Sequence, residues 1–102
     1  MRYALIGCGR ISPNHLAAAQ ANKLEIVGLC DIDAAMLEDK ILKFKLDASK
    51  VAQYDDYQLM LDEQKPKLVS ICTESGKHAA IALDCIRRGI NIIVEKPIAL
   101  SI

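Results

Sequence analysis

The sequence predicts an α/β fold, a doubly wound and mainly parallel sheet of five strands in the order 3-2-1-4-5. Five short apolar runs alternate with longer amphipathic ones, and a run apolar on successive residues suits a strand covered on both faces. Parallel neighbours need crossover connections, nearly always right-handed, and the helices between the strands supply them. The first run feeds straight into a glycine turn and a helix start, the opening step of such a sheet. A length of 102 residues allows one compact domain, because a core usually takes about 100 to 200 residues.

Each element follows from its residues. Arg2 to Ile6 is an apolar strand ending at Gly7. Ser12 as N-cap and Pro13 in the first turn start a helix that runs through the alanine-rich stretch His15 to Ala21 and stops near Asn22. Glu25 to Cys30 is the second strand, closed by Asp31. Asp33 then caps a helix whose Leu37, Ile41 and Phe44 share one face, with Lys40, Lys43 and Lys45 expected on a solvated surface. Val51 to Tyr54 is a short third strand; after Asp55 a brief helix buries Tyr57, Met60 and Leu61 and breaks at Lys65 and Pro66. Leu68 to Cys72 is the fourth strand, and a helix from about Lys77 to Arg88 carries the stripe Ile81, Ala82, Cys85 and Ile86 before Gly89 ends it. Asn91 to Val94 is the fifth strand.

Composition excludes several classes. Thirteen basic and thirteen acidic residues give no positive field to gather nucleic acid or acidic membranes. At 52% hydrophobic and 25% charged, the chain is too apolar for disorder. No apolar run approaches the roughly 18 residues of a membrane span, and no secretory signal opens the chain, so a soluble, cytoplasmic protein is expected. Cys8, Cys30, Cys72 and Cys85 form no C-x-x-C pair, which points to reduced, mostly buried thiols and to no metal site. Cys8, between two glycines, is the one cysteine with a rival reading as a reactive group.

In a sheet of this order, ligands sit beyond the carboxyl ends of the strands where the order reverses, between strands 1 and 4. The unusual residues collect there. Gly7, Cys8, Gly9, Arg10, Ile11 and Ser12 follow a strand and open a helix as a G-x-G-x-x-G dinucleotide loop does, with Ser12 in the third glycine's place. Gly7 allows the turn, Gly9 lets a pyrophosphate approach the backbone, and the helix start attracts its charge. Asp31, about 20 residues on, suits the hydroxyls of the adenosine ribose and repels the 2′-phosphate of NADP, so NAD is the expected cofactor. A glycine turn chosen for geometry alone is the poorer account of this context.

The glycine loop, Asp31, the segment Thr73 to His78 and Glu95-Lys96-Pro97 together resemble the N-terminal, Rossmann-type domain of the glucose-fructose oxidoreductase/inositol dehydrogenase/MocA (Gfo/Idh/MocA) family over nearly the whole chain. The run Gly9 to His15 further resembles the branch that oxidises UDP-N-acetylglucosamine-type substrates. The resemblance implies an NAD-dependent dehydrogenase, with Lys96 as the catalytic or proton-relay residue beside the nicotinamide. It carries Thr73 and His78 over as cofactor contacts, although Glu74 stands where proline is usual. Glu95 either orients Lys96 or meets the nicotinamide ribose, and His15 touches cofactor or substrate or covers the first helix.

The same resemblance implies that residues 1–102 are the dinucleotide-binding domain alone, and that a substrate domain and a homo-oligomer belong to a longer protein. The expected partner is a small sugar, cyclitol or nucleotide-sugar, with no nucleic acid and no membrane. A non-catalytic dinucleotide-sensing module is the alternative. Lys96 discriminates, since a sensor has no use for a proton-transfer lysine at the nicotinamide end. Biliverdin-reductase-like or dihydrodipicolinate-reductase-like chemistry fits the domain but leaves Glu-Lys-Pro less well explained.

Overall fold

The computed structural model describes residues 1–9, 12–73 and 75–94, without the side chains of 75–77. The elements in chain order are β1 (Arg2–Ile6), α1 (Ser12–Ala21), β2 (Glu25–Cys30), α2 (Ala34–Lys43), β3 (Ala52–Tyr54), α3 (Tyr57–Gln64), β4 (Leu68–Ile71), α4 (Ser75–Arg87) and β5 (Asn91–Val94). The five strands form one parallel sheet in the order β3-β2-β1-β4-β5, as the sequence predicts.

Strand alternation divides the core in two. Tyr3 and Leu5 of β1 point to one face, where Leu16 and Ala19 of α1 and Leu37 and Ile41 of α2 cover them. Ala4 and Ile6 point to the other, against Met60 and Leu61 of α3 and Ile81 and Cys85 of α4. The sheet is therefore wound on both faces, which is why β1 reads as apolar on successive residues.

The helix ends repay attention to single bonds. Asp33 caps α2 and accepts from the Ala35 amide at 3.0 Å; α3 is capped by Asp56, one residue later than expected, which accepts from the Gln58 amide at 2.9 Å. Ser12 departs from its expected part. It stands inside α1, and its hydroxyl donates to the Gly9 carbonyl at 2.8 Å instead of accepting an amide of the first turn. At the other ends, Leu24, Leu46 and Ile90 each donate back five residues, to Ala19, Ile41 and Cys85, so α1, α2 and α4 share one closing motif. That motif puts the preceding residue at positive φ: Gly89 at 72° suits it, while Lys23 at 57° and Lys45 at 54° hold the strained position and bring a cation to the negative helix end.

Two side chains correct the sequence reading. Lys40 is buried at 5% exposure, its stem in the core and its ammonium 2.9 Å from Asp39. It lies three residues after Leu37 and so falls on the apolar face by position, with Asp39 as the partner of its charge. Ile86, expected in the stripe of α4, is 59% exposed; the covered face is Ile81, Ala82 and Cys85, and Ile86 lies past its rim. Boundaries move slightly: Val51 is buried but precedes β3, Cys72 follows β4, and α4 begins at Ser75.

Gly7 and Gly89 offer a graded test. Both have positive φ, but a Cβ on Gly7 falls 2.7 Å from the backbone of Cys72 and Thr73, whereas one on Gly89 meets nothing within 4 Å. Gly89→Ala should cost about 1 kcal/mol and Gly7→Ala at least about twice that. Urea midpoints measure both; equal losses would show that the approach of β4 to Gly7 carries no energy.

Candidate functional site

A cleft of about 580 Å³ opens at the carboxyl edge of β1, β2 and β4, on the side that α3 and α4 cover. The glycine loop forms its floor. Ladder-like bonds continue past the strand ends, with the Gly7 amide donating to Cys30 at 2.7 Å and the Cys72 amide to Ile6 at 2.7 Å. Three strands thus deliver their following residues to one place: Gly7 and Gly9 from β1, Asp31 from β2 and Thr73 from β4 all line the cleft.

Asp31 does more than end β2. Its Oδ2 accepts the Cys8 amide at 2.8 Å and its Oδ1 accepts the Asp33 amide at 2.8 Å, while its own amide donates to Tyr54 at 3.0 Å. The carboxylate is therefore fixed at the mouth of the loop with lone pairs to spare for a ligand. Gly9 tells a different story from Gly7. A Cβ there meets only the Cys72 carbonyl, at an ordinary 3.8 Å, so nothing among the described atoms requires a glycine. At the same end, the 10-residue α1 directs its positive pole to the loop, with Ser12 fully buried so that helix and strand pack closely.

The β4 loop contributes polar atoms of its own. His78 of α4 is buried, and its Nε2–H donates to the Thr73 carbonyl. Neither His78 Nδ1 nor Thr73 Oγ1 has a hydrogen-bond partner among the described residues. Thr73 faces the cleft, whereas His78 acts on it through Thr73. His15 turns toward the sheet and shares a 3.1 Å hydrogen bond with Ser70 through Nδ1. Among the described lining residues there is no lysine or arginine; the charged ones are Asp31 and Asp55. Arg10, Ile11, Glu74, Glu95 and Lys96 lie outside the described residues.

Cys8 enters the loop by its backbone. Its side chain is fully buried against the α1 and α2 side, its amide serves Asp31, and its thiol donates weakly to Cys30 at 3.9 Å. Burial, with the Asp31 charge second, pushes this thiol up to about 12, and Lys40 only partly opposes them. Cys30 is likewise pushed up to about 12 and Cys85 to about 11, burial leading in both. Burial and a raised thiol both oppose the reading of Cys8 as a reactive group. Among the described residues no group of three His, Cys, Asp or Glu is placed to hold a metal, and no helix is long and apolar enough to cross a membrane.

Sequence reasoning missed part of the lining. Ile32, Asp55, Tyr57, Ala80 and Ile81 all face the cleft, yet Tyr57 and Ile81 read only as core. The signal was present in the strand order, because residues just past β2 and β3 must flank those past β1.

A glycine loop at the reversal point of a parallel sheet, a helix pole behind it and a fixed carboxylate across from it define a dinucleotide-binding domain. The chain belongs to the Gfo/Idh/MocA oxidoreductase family, as its NAD-binding Rossmann fold, with residues 1–102 matched. It is 34% identical to a D-apiose dehydrogenase of Paraburkholderia graminis over 97% of this chain and 26% of that protein. It is also 34% identical to glycosyl hydrolase family 109 protein 2 of Akkermansia muciniphila, over 100% of this chain and 23% of that one. Among solved structures, the WlbA dehydrogenase of Chromobacterium violaceum, in complex with NADH and UDP-GlcNAcA, superposes with a TM-score of 0.83 at 32% identity, over 97% of this chain and 28% of that one. The chain spans about a quarter of the length of the curated relatives it matches.

The thiols give a test with a definite sign. A thiol whose value is raised in the folded state keeps a proton that the unfolded chain releases, so stability is full below about pH 9 and falls as pH rises toward 11 to 12. Urea midpoints should be level from about pH 6 to 8 and drop above 9. At pH 8, Ellman's reagent should leave Cys8, Cys30 and Cys85 unlabelled in the folded chain and label all four thiols in urea. Rapid labelling of Cys8 would contradict its burial.

Proposed function

We propose that this chain is the cofactor-holding part of an NAD-dependent dehydrogenase that moves a hydride between the nicotinamide and a hydroxyl-bearing carbon of a sugar, cyclitol or nucleotide-sugar. The observation that carries the reading is Asp31: a carboxylate fixed by the Cys8 and Asp33 amides at the edge of the glycine loop, in a cleft without a described cation. Such a group accepts ribose hydroxyls and opposes a 2′-phosphate, which favours NAD over NADP. Gly9 fits the pyrophosphate, since among the described residues a Cβ there would meet only the Cys72 carbonyl, at an ordinary 3.8 Å.

Bound NAD supplies the hydride chemistry. The chain supplies placement: loop 7–9 and the α1 pole hold the phosphates, Asp31 the adenosine ribose, and Thr73 the far side. Lys96, in the Glu-Lys-Pro segment that follows β5, is proposed to take the substrate hydroxyl's proton, and Glu95 to orient it or to meet the nicotinamide ribose. Inositol 2-dehydrogenase of Salmonella typhimurium and D-glucoside 3-dehydrogenase of Escherichia coli are relatives of the same kind, at 25% and 29% identity, which supports a polyhydroxylated substrate. The relative named a glycosyl hydrolase supports a second reading, in which the same domain serves glycoside cleavage. Product analysis with a glycoside and NAD separates the two.

Calorimetry should find NADH bound more tightly than NADPH by the unmodified chain. Asp31→Ala should narrow that gap, and because it also frees the Cys8 amide it should weaken NADH itself. Gly9→Val should lower NADH affinity on the order of tenfold or more while the fold survives. Equal affinity for the two cofactors, or a folded Gly9→Val chain that binds NADH unchanged, would overturn the reading. In a longer polypeptide carrying the substrate-binding part, Lys96→Ala should remove most of the turnover, on the order of a hundredfold, with NADH affinity largely kept.

A further inference from the structure

We propose that Tyr57 is the aromatic wall of the base subsite, packing its ring against the adenine of the bound dinucleotide, and that Asp84 is the positioning residue that holds the ring there. This rests on the dinucleotide reading above. With the pyrophosphate over Gly9 and the ribose at Asp31, the base lies one sugar's length further out, past the end of β2 toward β3. The cleft continues in that direction, lined by Ile32, Asp55, Tyr57 and Ile81.

Two features of that lining suit a flat base. Ile32 is 83% exposed, a large apolar side chain directly after the ribose carboxylate, and a base laid against it would remove that surface from water. Tyr57 supplies the other kind of surface a base favours, a π-face. Its hydroxyl is spent elsewhere: it donates to Asp84 Oδ2 on α4, and the neighbouring Gln58 amide donates to the same oxygen at 3.1 Å. The phenol is therefore tied across from α3 to α4, which restricts the ring's rotation and leaves it to offer a face rather than a hydrogen bond. The chain's other two tyrosines are placed differently: Tyr3 is buried in the α1 and α2 side of the core, and Tyr54 donates to Glu63 and accepts from Gln64. Neither is among the described residues that line the cleft.

The rival role for Tyr57 is a clasp between α3 and α4 with no part in binding, and ADP-ribose separates the two. By calorimetry, Tyr57→Leu should weaken ADP-ribose about tenfold while circular dichroism shows the fold intact, and Tyr57→Phe should lose less. Asp84→Ala should weaken ADP-ribose in the Tyr57 chain but have no further effect in the Tyr57→Leu chain, a coupling that a clasp alone would not produce. The Tyr57 ring resonances, identified by their loss in Tyr57→Phe, should move upfield on saturation with ADP-ribose. Affinity for ADP-ribose unchanged in Tyr57→Leu overturns the proposal. So do ring resonances that stay in place at saturation, which decides the matter even where Tyr57→Leu does not fold. ADP-ribose binding that ignores Gly9→Val would instead overturn the dinucleotide reading itself.

Discussion

The Asp31 carboxylate accepts one amide from the loop after β1 and one from the turn after β2, each at 2.8 Å, and thereby ties the two strand ends together one residue beyond the ladder-like bond from Gly7 to Cys30. Charge-assisted bonds of this kind are among the stronger ones a surface edge offers. Gly7 fixes the same loop from the opposite side, where the backbone of Cys72 and Thr73 comes so close that a Cβ would stand 2.7 Å from it. Between these two constraints the loop has one position, with Gly9 presented to the cleft. The tie also lets a single residue serve the fold and the proposed recognition, because the oxygens that hold Cys8 and Asp33 retain lone pairs beyond those two bonds.

Electrostatics follow the same axis. A chain with no net charge can still place charge unevenly among its described residues. The cleft end carries Asp31 and Asp55, with Asp56 close enough to join them in raising the Cys30 thiol. The opposite end, where α1, α2 and α3 finish, carries Lys23, Lys45 and Lys65, all at positive φ. Those lysines face helix carbonyl ends, so they are most simply dipole partners. The balanced composition says nothing of how charge is distributed, and among the described residues the charged lining of the cleft is acidic.

Much of the fold was legible because strand and helix limits are written in punctuation. Asp31 closes β2, Asp33 caps α2 and Gly89 closes α4, each at the residue expected. What was not legible came from side chains with two natures. Lys40 was assigned to water by its charge although its stem occupies an apolar position three residues from Leu37. Ser12 reads as an amide acceptor, but a hydroxyl can also donate, and here it donates to the Gly9 carbonyl. Ile86 is apolar yet lies past the edge of the buried stripe. In the site, Gly7, Gly9, Asp31 and Thr73 converge as the strand order requires, whereas Tyr57 and Ile32 were hidden because a periodic pattern marks burial in the protein core and says nothing of which side chains line a cleft.

The central claim is that the carboxyl edge of β1, β2 and β4 holds the dinucleotide. Backbone amide shifts of the isotope-labelled chain, followed by NMR as NAD is added, test it most directly. The account predicts that the amides of Gly7, Cys8, Gly9, Asp31, Ile32 and Thr73 move together along one saturation curve while Lys65, Lys67 and Arg88, at the opposite edge, stay fixed. Saturable movement of that basic edge, with the glycine loop unchanged, would contradict it.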